Sequence, residues 1–208
     1  MSIAVAIAGL GHAFGTRVVL MDVDIAVPAN STLALFGPNG SGKSTLLRCL
    51  VGLLRPTVGA VTIDGEQPHA LRAAKRARVS YLGHRPHVWD GLSCRENLRF
   101  VAQLYSRPID VESLLDRVEL RRQGSTAAGV LSQGQRQRLG IARALATEPG
   151  LLVLDEPHAA LDREGADLLD GILQDVRGRV TVILATHDHE RGAAVADAVH
   201  TLPVQGRA

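Results

Sequence analysis

The chain has 208 residues, 46% of them hydrophobic and 21% charged, a length and balance that predict one folded domain with a substantial core and exclude a disordered chain. Aromatic residues at 3% and a formal charge of +2 are too little for a base-stacking module or an electrostatic nucleic-acid binder, so no nucleic-acid partner is expected. Cys49 and Cys94 lack metal-ligand spacing and fit a reduced compartment, while no apolar run reaches the roughly 18 residues that span a bilayer and the N-terminus lacks the basic segment of a signal peptide.

At the N-terminus Ile3, Val5 and Ile7 alternate with Ala4 and Ala6, the spacing of a strand rather than of a leader. Residues 1–31 read as two strands joined near Gly15-Thr16. Phe14 is the lone aromatic among them, and it can either pack in the core or offer its face to a nucleotide base.

The segment Thr32-Leu33-Ala34-Leu35-Phe36 reads as a short buried strand. It leads into Gly37-Pro38-Asn39-Gly40-Ser41-Gly42-Lys43-Ser44, with Thr45 behind it. This run fits the phosphate-binding pattern G-x-x-x-x-G-K-[ST] in its required strand–loop–helix setting. Its glycines permit left-handed turns and close approach of phosphate oxygens. The loop N–H groups then form an anion nest at a helix N-terminus. Lys43 is expected to reach the β- and γ-phosphates of a nucleotide, and the Ser44 hydroxyl to ligate Mg²⁺. Leu46, Leu47, Leu50, Val51 and Leu54 form one apolar stripe, which predicts a helix continuing until Pro56 stops it.

Gly59-Ala60-Val61-Thr62-Ile63-Asp64-Gly65 and Val79-Ser80-Tyr81-Leu82-Gly83 are two further strand-like runs. Between them Arg72, Lys75, Arg76 and Arg78 read as a solvated helix face, with contact to a membrane surface as the sharper alternative. From His84 to about residue 130 the pattern is helical. Ser93-x-x-Glu96 has capping-box spacing, and a second helical stretch covers residues 111–120. Residues 84–145 are therefore expected to form a helical subdomain within a single domain of residues 1–208. Trp89, the sole tryptophan, is expected in the core, with partner contact as the alternative.

Ser132 and Gln135 again have capping-box spacing, which predicts a helix running to about Ala146; such a helix start can bind an anion. Leu151-Leu152-Val153-Leu154 is a continuous apolar run, as in a parallel strand covered on both faces. It ends in Asp155-Glu156-Pro157. Open α/β sheets bind ligands at the C-terminal ends of their strands. There Asp155 can hold Mg²⁺, while Glu156 can orient or deprotonate an attacking water. Asp162 caps a helix with Leu168, Leu169, Ile172, Leu173 and Val176 turned inward. A last buried strand, Val180-Thr181-Val182-Ile183-Leu184-Ala185, delivers Thr186-His187-Asp188, which makes His187 a candidate sensor of the γ-phosphate. Residues 195–204 read as a helix end and a final short strand.

The phosphate loop, Leu131-Ser132-Gln133-Gly134-Gln135, residues 151–156, Ala160-Leu161-Asp162 and His187 occur in the order of ABC-type ATPase domains, and the chain resembles that family along nearly its whole length. The resemblance implies an α/β P-loop NTPase fold with a mixed sheet core, an N-terminal antiparallel β subdomain and a helical signature subdomain. It implies a head-to-tail homodimer enclosing two ATP molecules, with Ser132, Gly134 and Gln135 of one copy closing on the nucleotide held by Lys43 of the other. It further implies Asp155 as the Mg²⁺-side carboxylate, Glu156 as the base, His187 as the switch histidine, Asp162 in the dimer-contact loop and Phe14 stacked on adenine. Two departures stand out. Gln133 replaces a glycine of the signature. His84 stands where most members carry a glutamine that touches Mg²⁺ and water, which places His84 among the catalytic candidates.

Tyr81-Leu82-Gly83-His84-Arg85-Pro86, with Leu92-Ser93 and Glu96-Asn97-Leu98, resembles the haem-exporter ATPases of cytochrome c maturation, and the short span after His187 fits them. The resemblance implies peripheral attachment at the cytoplasmic face of the plasma membrane, on permease subunits of cytochrome c maturation. An ATPase of another exporter or importer (lipid, drug or polysaccharide) is the alternative. An ABC protein acting on ribosomes or DNA is disfavoured because the chain has one motif set and no sustained heptads, and a non-hydrolysing module is disfavoured by Glu156 and His187. His84 and His87, at i and i+3, admit a further reading as haem or metal ligands.

Overall fold

The computed structural model describes residues 3–105 and 108–204. In chain order the elements are β1 (Val5–Phe14), β2 (Arg17–Val27), β3 (Thr32–Phe36), α1 (Lys43–Leu50), β4 (Val58–Ile63), α2 (Ala73–Arg76), β5 (Val79–Leu82), α3 (Cys94–Leu104), α4 (Val111–Arg117), α5 (Gln133–Leu145), β6 (Leu151–Asp155), α6 (Arg163–Val176), β7 (Thr181–Ala185), α7 (His189–Val195) and β8 (Ala198–Thr201).

The strands form two sheets, one of three strands in the order β2-β1-β4 and one of five in the order β5-β6-β7-β3-β8. Pairing in the first is antiparallel and in the second parallel throughout. The two polarities expected from the sequence are thus separated between sheets. Every residue of β3, β6 and β7 is buried, which is why their sequences read as continuous apolar runs.

Two hydrophobic clusters cover the faces of the parallel sheet, and strand alternation assigns side chains between them. Leu151, Val153, Ile183 and Ala185 join the cluster built with β1, β2 and α1. Leu152, Leu154, Val182 and Leu184 join the one built with helices α3 to α6. Parallel register then sets the active edge: Leu35 lies opposite Ala185, and Ala185 opposite Asp155. Three loops therefore leave the sheet side by side, one after β3, one after β6 and one after β7.

Both predicted capping boxes are present, Ser93 with Glu96 and Ser132 with Gln135. Two helices are shorter than their apolar stripes suggest. Helix α1 ends at Leu50 rather than near Pro56, because Gly52 turns left-handed at φ 78° and the Leu53 N–H closes on the Arg48 carbonyl at 2.8 Å, a Schellman-type stop. Helix α4 stops at Arg117, short of residue 120, by the same device: Glu119 is left-handed at φ 54°, and the Leu120 N–H closes on the Leu115 carbonyl at 2.8 Å. The basic stretch near α2 is a solvated face, with Lys75 paired to Glu66 at 2.8 Å and to Asp64 at 3.6 Å. Trp89 departs from the core expectation. It is 40% exposed, packs edge-on against Phe100 and lies beneath the Arg143 guanidinium at 4.3 Å.

Candidate nucleotide site

A cleft of ≈ 830 Å³ opens at the active edge, lined by the loop from Gly37 to Thr45 together with Phe14, His84, Glu156 and His187. Gly42 caps α1 from the left-handed region at φ 97°. A Cβ there would stand 2.6 Å from Leu20 Cδ2 and 3.0 Å from the Val19 carbonyl, so the turn and its close seat on β2 both require glycine. Pro38 accepts the Ser41 N–H at 3.1 Å, which tightens the loop. The Ser41 hydroxyl is buried without a partner among the described residues, as suits a loop whose polar groups await an anion.

Lys43 is only 6% exposed. Its Nζ donates to the Gly37 carbonyl at 2.7 Å and lies 3.3 Å from Glu156 Oε1. The cation is thus held across the mouth of its own loop, with Glu156 as counter-charge. The Ser44 hydroxyl donates to Asp155 Oδ1 at 3.1 Å, a contact between residues 111 apart in sequence. Asp155 is fully buried, and its second oxygen accepts from the Tyr81 hydroxyl at 3.3 Å. Burial, followed by the neighbouring Asp155 charge, pushes Tyr81 up to about 12, so Tyr81 stays a neutral donor to that carboxylate. Two hard oxygen donors, Ser44 Oγ and Asp155 Oδ1, side by side at a phosphate loop form a donor set that suits Mg²⁺.

Glu156 has a left-handed backbone at φ 52°, an uncommon state for a non-glycine residue and one that concentrates at functional sites. Its N–H reaches the Ala185 carbonyl at 2.8 Å, which fixes the turn against β7. Its Oε2 accepts the His187 backbone N–H at 3.1 Å and contacts His187 Nδ1 at 2.7 Å. The phosphate loop and the two strand ends therefore deliver a cation, a carboxylate and a histidine to one cleft, with the buried carboxylate of Asp155 reached through Ser44. Phe14 is half-exposed at its mouth and packs edge-on to His12, with ring centroids 4.6 Å apart, rather than in the core. His84 is exposed and lines the same cleft, whereas His87 lines a separate groove beside Tyr81 and Arg143. The two histidines thus line different openings, and the paired-ligand reading finds no shared cavity. Among the described residues no cluster of three or more His, Cys, Asp or Glu could hold a metal ion by itself.

Ser132, Gly134, Gln135 and Asp162 lie outside the cleft lining. Ser132 caps α5 by accepting the Gln135 N–H at 3.2 Å, and Asp162 caps α6 by accepting the Gly165 N–H at 2.9 Å. Gln133, the departure in that motif, is exposed at the first position of α5, so its side chain fills no packed space. Arg17 and Val19 also line this cleft, and Tyr81 joins it through Asp155, a role that no motif of the sequence marks. Only register reveals Tyr81, since β5 pairs with β6 immediately below Asp155.

The ABC transporter family model matches residues 20–159. The sulfate/thiosulfate import ATP-binding protein CysA of Mycobacterium bovis is 37% identical over 97% of this chain, which spans 59% of that protein's length. The cytochrome c biogenesis ATP-binding export protein CcmA of Paramagnetospirillum magneticum is 40% identical over 83% of this chain and 82% of its own. A solved ATP binding subunit of an ABC transporter superposes with a TM-score of 0.87 at 27% identity, over 98% of this chain and 89% of that one.

Proposed function

The chain belongs to the ABC transporter family, and we propose that it is the ATP-hydrolysing subunit of a membrane complex. The convergence of Lys43, Ser44, Glu156 and His187 on one cleft, with Asp155 bonded to Ser44, carries this reading. ATP is the substrate. Lys43 and the loop N–H groups from Gly37 to Thr45 hold its phosphates, and Phe14 takes the base. Mg²⁺, bound by Ser44 and Asp155, supplies charge neutralisation at the β- and γ-phosphates. Glu156 orients water and accepts its proton, and His187, already bonded to Glu156, follows the γ-phosphate. His84 lines the same side of the cleft and is assigned a hydrogen bond to water or phosphate there.

In this reading two copies assemble head to tail in the ATP-bound state. Ser132, Gly134 and Gln135 at the start of α5, with Asp162 at the start of α6, complete the site of the other copy. Their position outside the Lys43 cleft supports a role across an interface. The chain attaches peripherally to permease subunits at the cytoplasmic face, and no described helix is long and apolar enough to cross a membrane. Residues 84–145 form the helical part of the single domain and pass closure to those subunits.

The finer reading is haem export or haem-chaperone release in cytochrome c maturation. It is supported by the run from Tyr81 to Pro86 and by 40% identity to CcmA over most of both chains. A sulfate or thiosulfate importer is the second reading, supported by 37% identity to CysA over 97% of this chain. Capture of tagged protein from mildly solubilised membranes, with mass spectrometry of what co-purifies, separates the two. Membrane subunits of cytochrome c maturation support the first and an anion permease the second. Ribosomal proteins without any membrane protein would overturn the transport reading.

A further inference from the structure

Glu156 and His187 meet across two loops that leave the adjacent strands β6 and β7, and their contact is 2.7 Å long. A base that turns toward water, and a histidine that follows a phosphate, both leave this contact during turnover. The sheet ladder holds the roots of the two loops, through the Glu156 N–H on the Ala185 carbonyl at 2.8 Å, and their outer parts need a further tie meanwhile. Behind the contact, two residues beyond Glu156 and four beyond His187, a second linkage joins the same two segments.

His158 is 8% exposed, and its Nε2 lies 2.9 Å from Asp170 Oδ1 on α6. The other oxygen of Asp170 accepts from Arg191 on α7. Arg191 also donates to Asp167 Oδ1 at 2.8 Å. Its backbone N–H reaches Asp188 Oδ1 at 3.0 Å, and Asp188 is the residue next to His187. Hydrogen bonds to both Asp167 and Asp170 place the Arg191 cation at the centre of the linkage. His158 Nδ1 is buried with no partner among the described residues. A phenylalanine would fill the same space without an orphaned nitrogen, so the bond to Asp170 is what the imidazole adds over an apolar ring. From the far side Gln137 on α5 donates to the Pro157 carbonyl at 3.0 Å, which ties the same loop to the helix that starts at Ser132.

We infer that His158, Asp170 and Arg191 form a rear clamp that sets the spacing of the Glu156 and His187 loops while the front contact opens. The three act as positioning residues, and the inference rests on the proposed roles of Glu156 and His187. The clamp holds the reacting geometry and leaves the phosphate loop alone, so its loss should lower kcat without weakening ATP binding.

The test measures kcat and KM for ATP in His158→Phe, Arg191→Gln and the double variant. It uses the purified chain, or the recovered membrane complex where turnover requires it. Each single change should lower kcat about tenfold with KM within about twofold, and the double should be no slower than the worse single, because both act through Asp170. Unchanged kcat in the single variants, multiplicative losses in the double, or parallel loss of kcat and ATP affinity would overturn the clamp. Should His158→Phe fail to fold, the isosteric Asp170→Asn carries the same predicted split. Glu156→Gln in the same assay separates the two readings. If it hydrolyses ATP like the wild type, the base assignment fails; if it is inactive while the clamp variants match the wild type, only the clamp fails.

Discussion

Glu156→Gln should do two opposite things to the site, and the resting geometry gives the size of each. In the structure Glu156 is the counter-charge of Lys43 at 3.3 Å, and both side chains are largely shielded from solvent, at 14% and 7% exposed. Coulomb's law at an effective dielectric constant of about 20 gives roughly 5 kcal/mol of gross attraction at that separation. Desolvation and the competing bonds of each group reduce the net worth to about 1 kcal/mol. ATP has to displace this carboxylate from Lys43, so the neutral amide should tighten ATP binding by about fivefold. The amide still fits the turn and can still accept from the His187 N–H, which leaves the fold unaltered. It cannot take a proton from water, and loss of a general base lowers kcat by roughly 100- to 1,000-fold, about 3–4 kcal/mol of barrier. Steady-state phosphate release gives kcat and equilibrium titration with a fluorescent ATP analogue gives affinity. Turnover within threefold of the wild type, or weaker nucleotide binding, would refute the assignment of Glu156 as both resting counter-ion and base.

Gly42→Ala places a methyl group 2.6 Å from Leu20 at φ 97°; it should lower stability by about 1–3 kcal/mol and ATP affinity at least about tenfold, and undiminished binding by calorimetry would contradict the role of this turn. Ser132→Ala removes the acceptor for the Gln135 N–H and should cost about 1 kcal/mol, or about 2–4 °C in Tm; scanning calorimetry that shows no decrease would contradict the cap. Burial pushes the Cys49 thiol from its ordinary 9.0 up to about 11. The unfolded chain therefore loses this proton first as pH rises, so the contribution to stability is complete below pH 9 and lost progressively between pH 9 and about 11. Urea midpoints should fall across that window in the wild type and fall less in Cys49→Ala, and parallel curves would refute the linkage.

Much of the architecture was legible because packing dictates residue type directly. Strands β3, β6 and β7 are covered on both faces, so only continuous apolar runs suit them. Helices α3 and α5 declare their starts through serine and an acceptor three residues on. Helix ends were less readable. The stripe in α1 continues through Val51 and Leu54, which still pack against the core after the helix has turned off at Gly52. An apolar position reports burial, and burial outlasts the helix. Trp89 was misplaced for a related reason: its size suggests a core residue, yet a guanidinium stacked on one face and Phe100 at its edge settle it at the surface.

The site was legible as a set of residues and illegible as a set of distances. Each motif announces itself locally, by glycines that permit a turn or by carboxylates that end a buried strand. Which charges meet depends on the parallel register, which aligns Leu35, Ala185 and Asp155 although they are scattered over 150 positions of the chain. From that alignment come the contacts no local pattern encodes: Ser44 on Asp155, Lys43 on Glu156, and Glu156 on His187. The same alignment anchors Glu156, whose backbone is left-handed. Its N–H is drawn onto the Ala185 carbonyl at 2.8 Å, and the chain bends there so that the carboxylate turns toward Lys43 instead of continuing the strand. The left-handed turn at Glu156 thus sits directly on the sheet edge, with its carboxylate in the cleft beside Lys43.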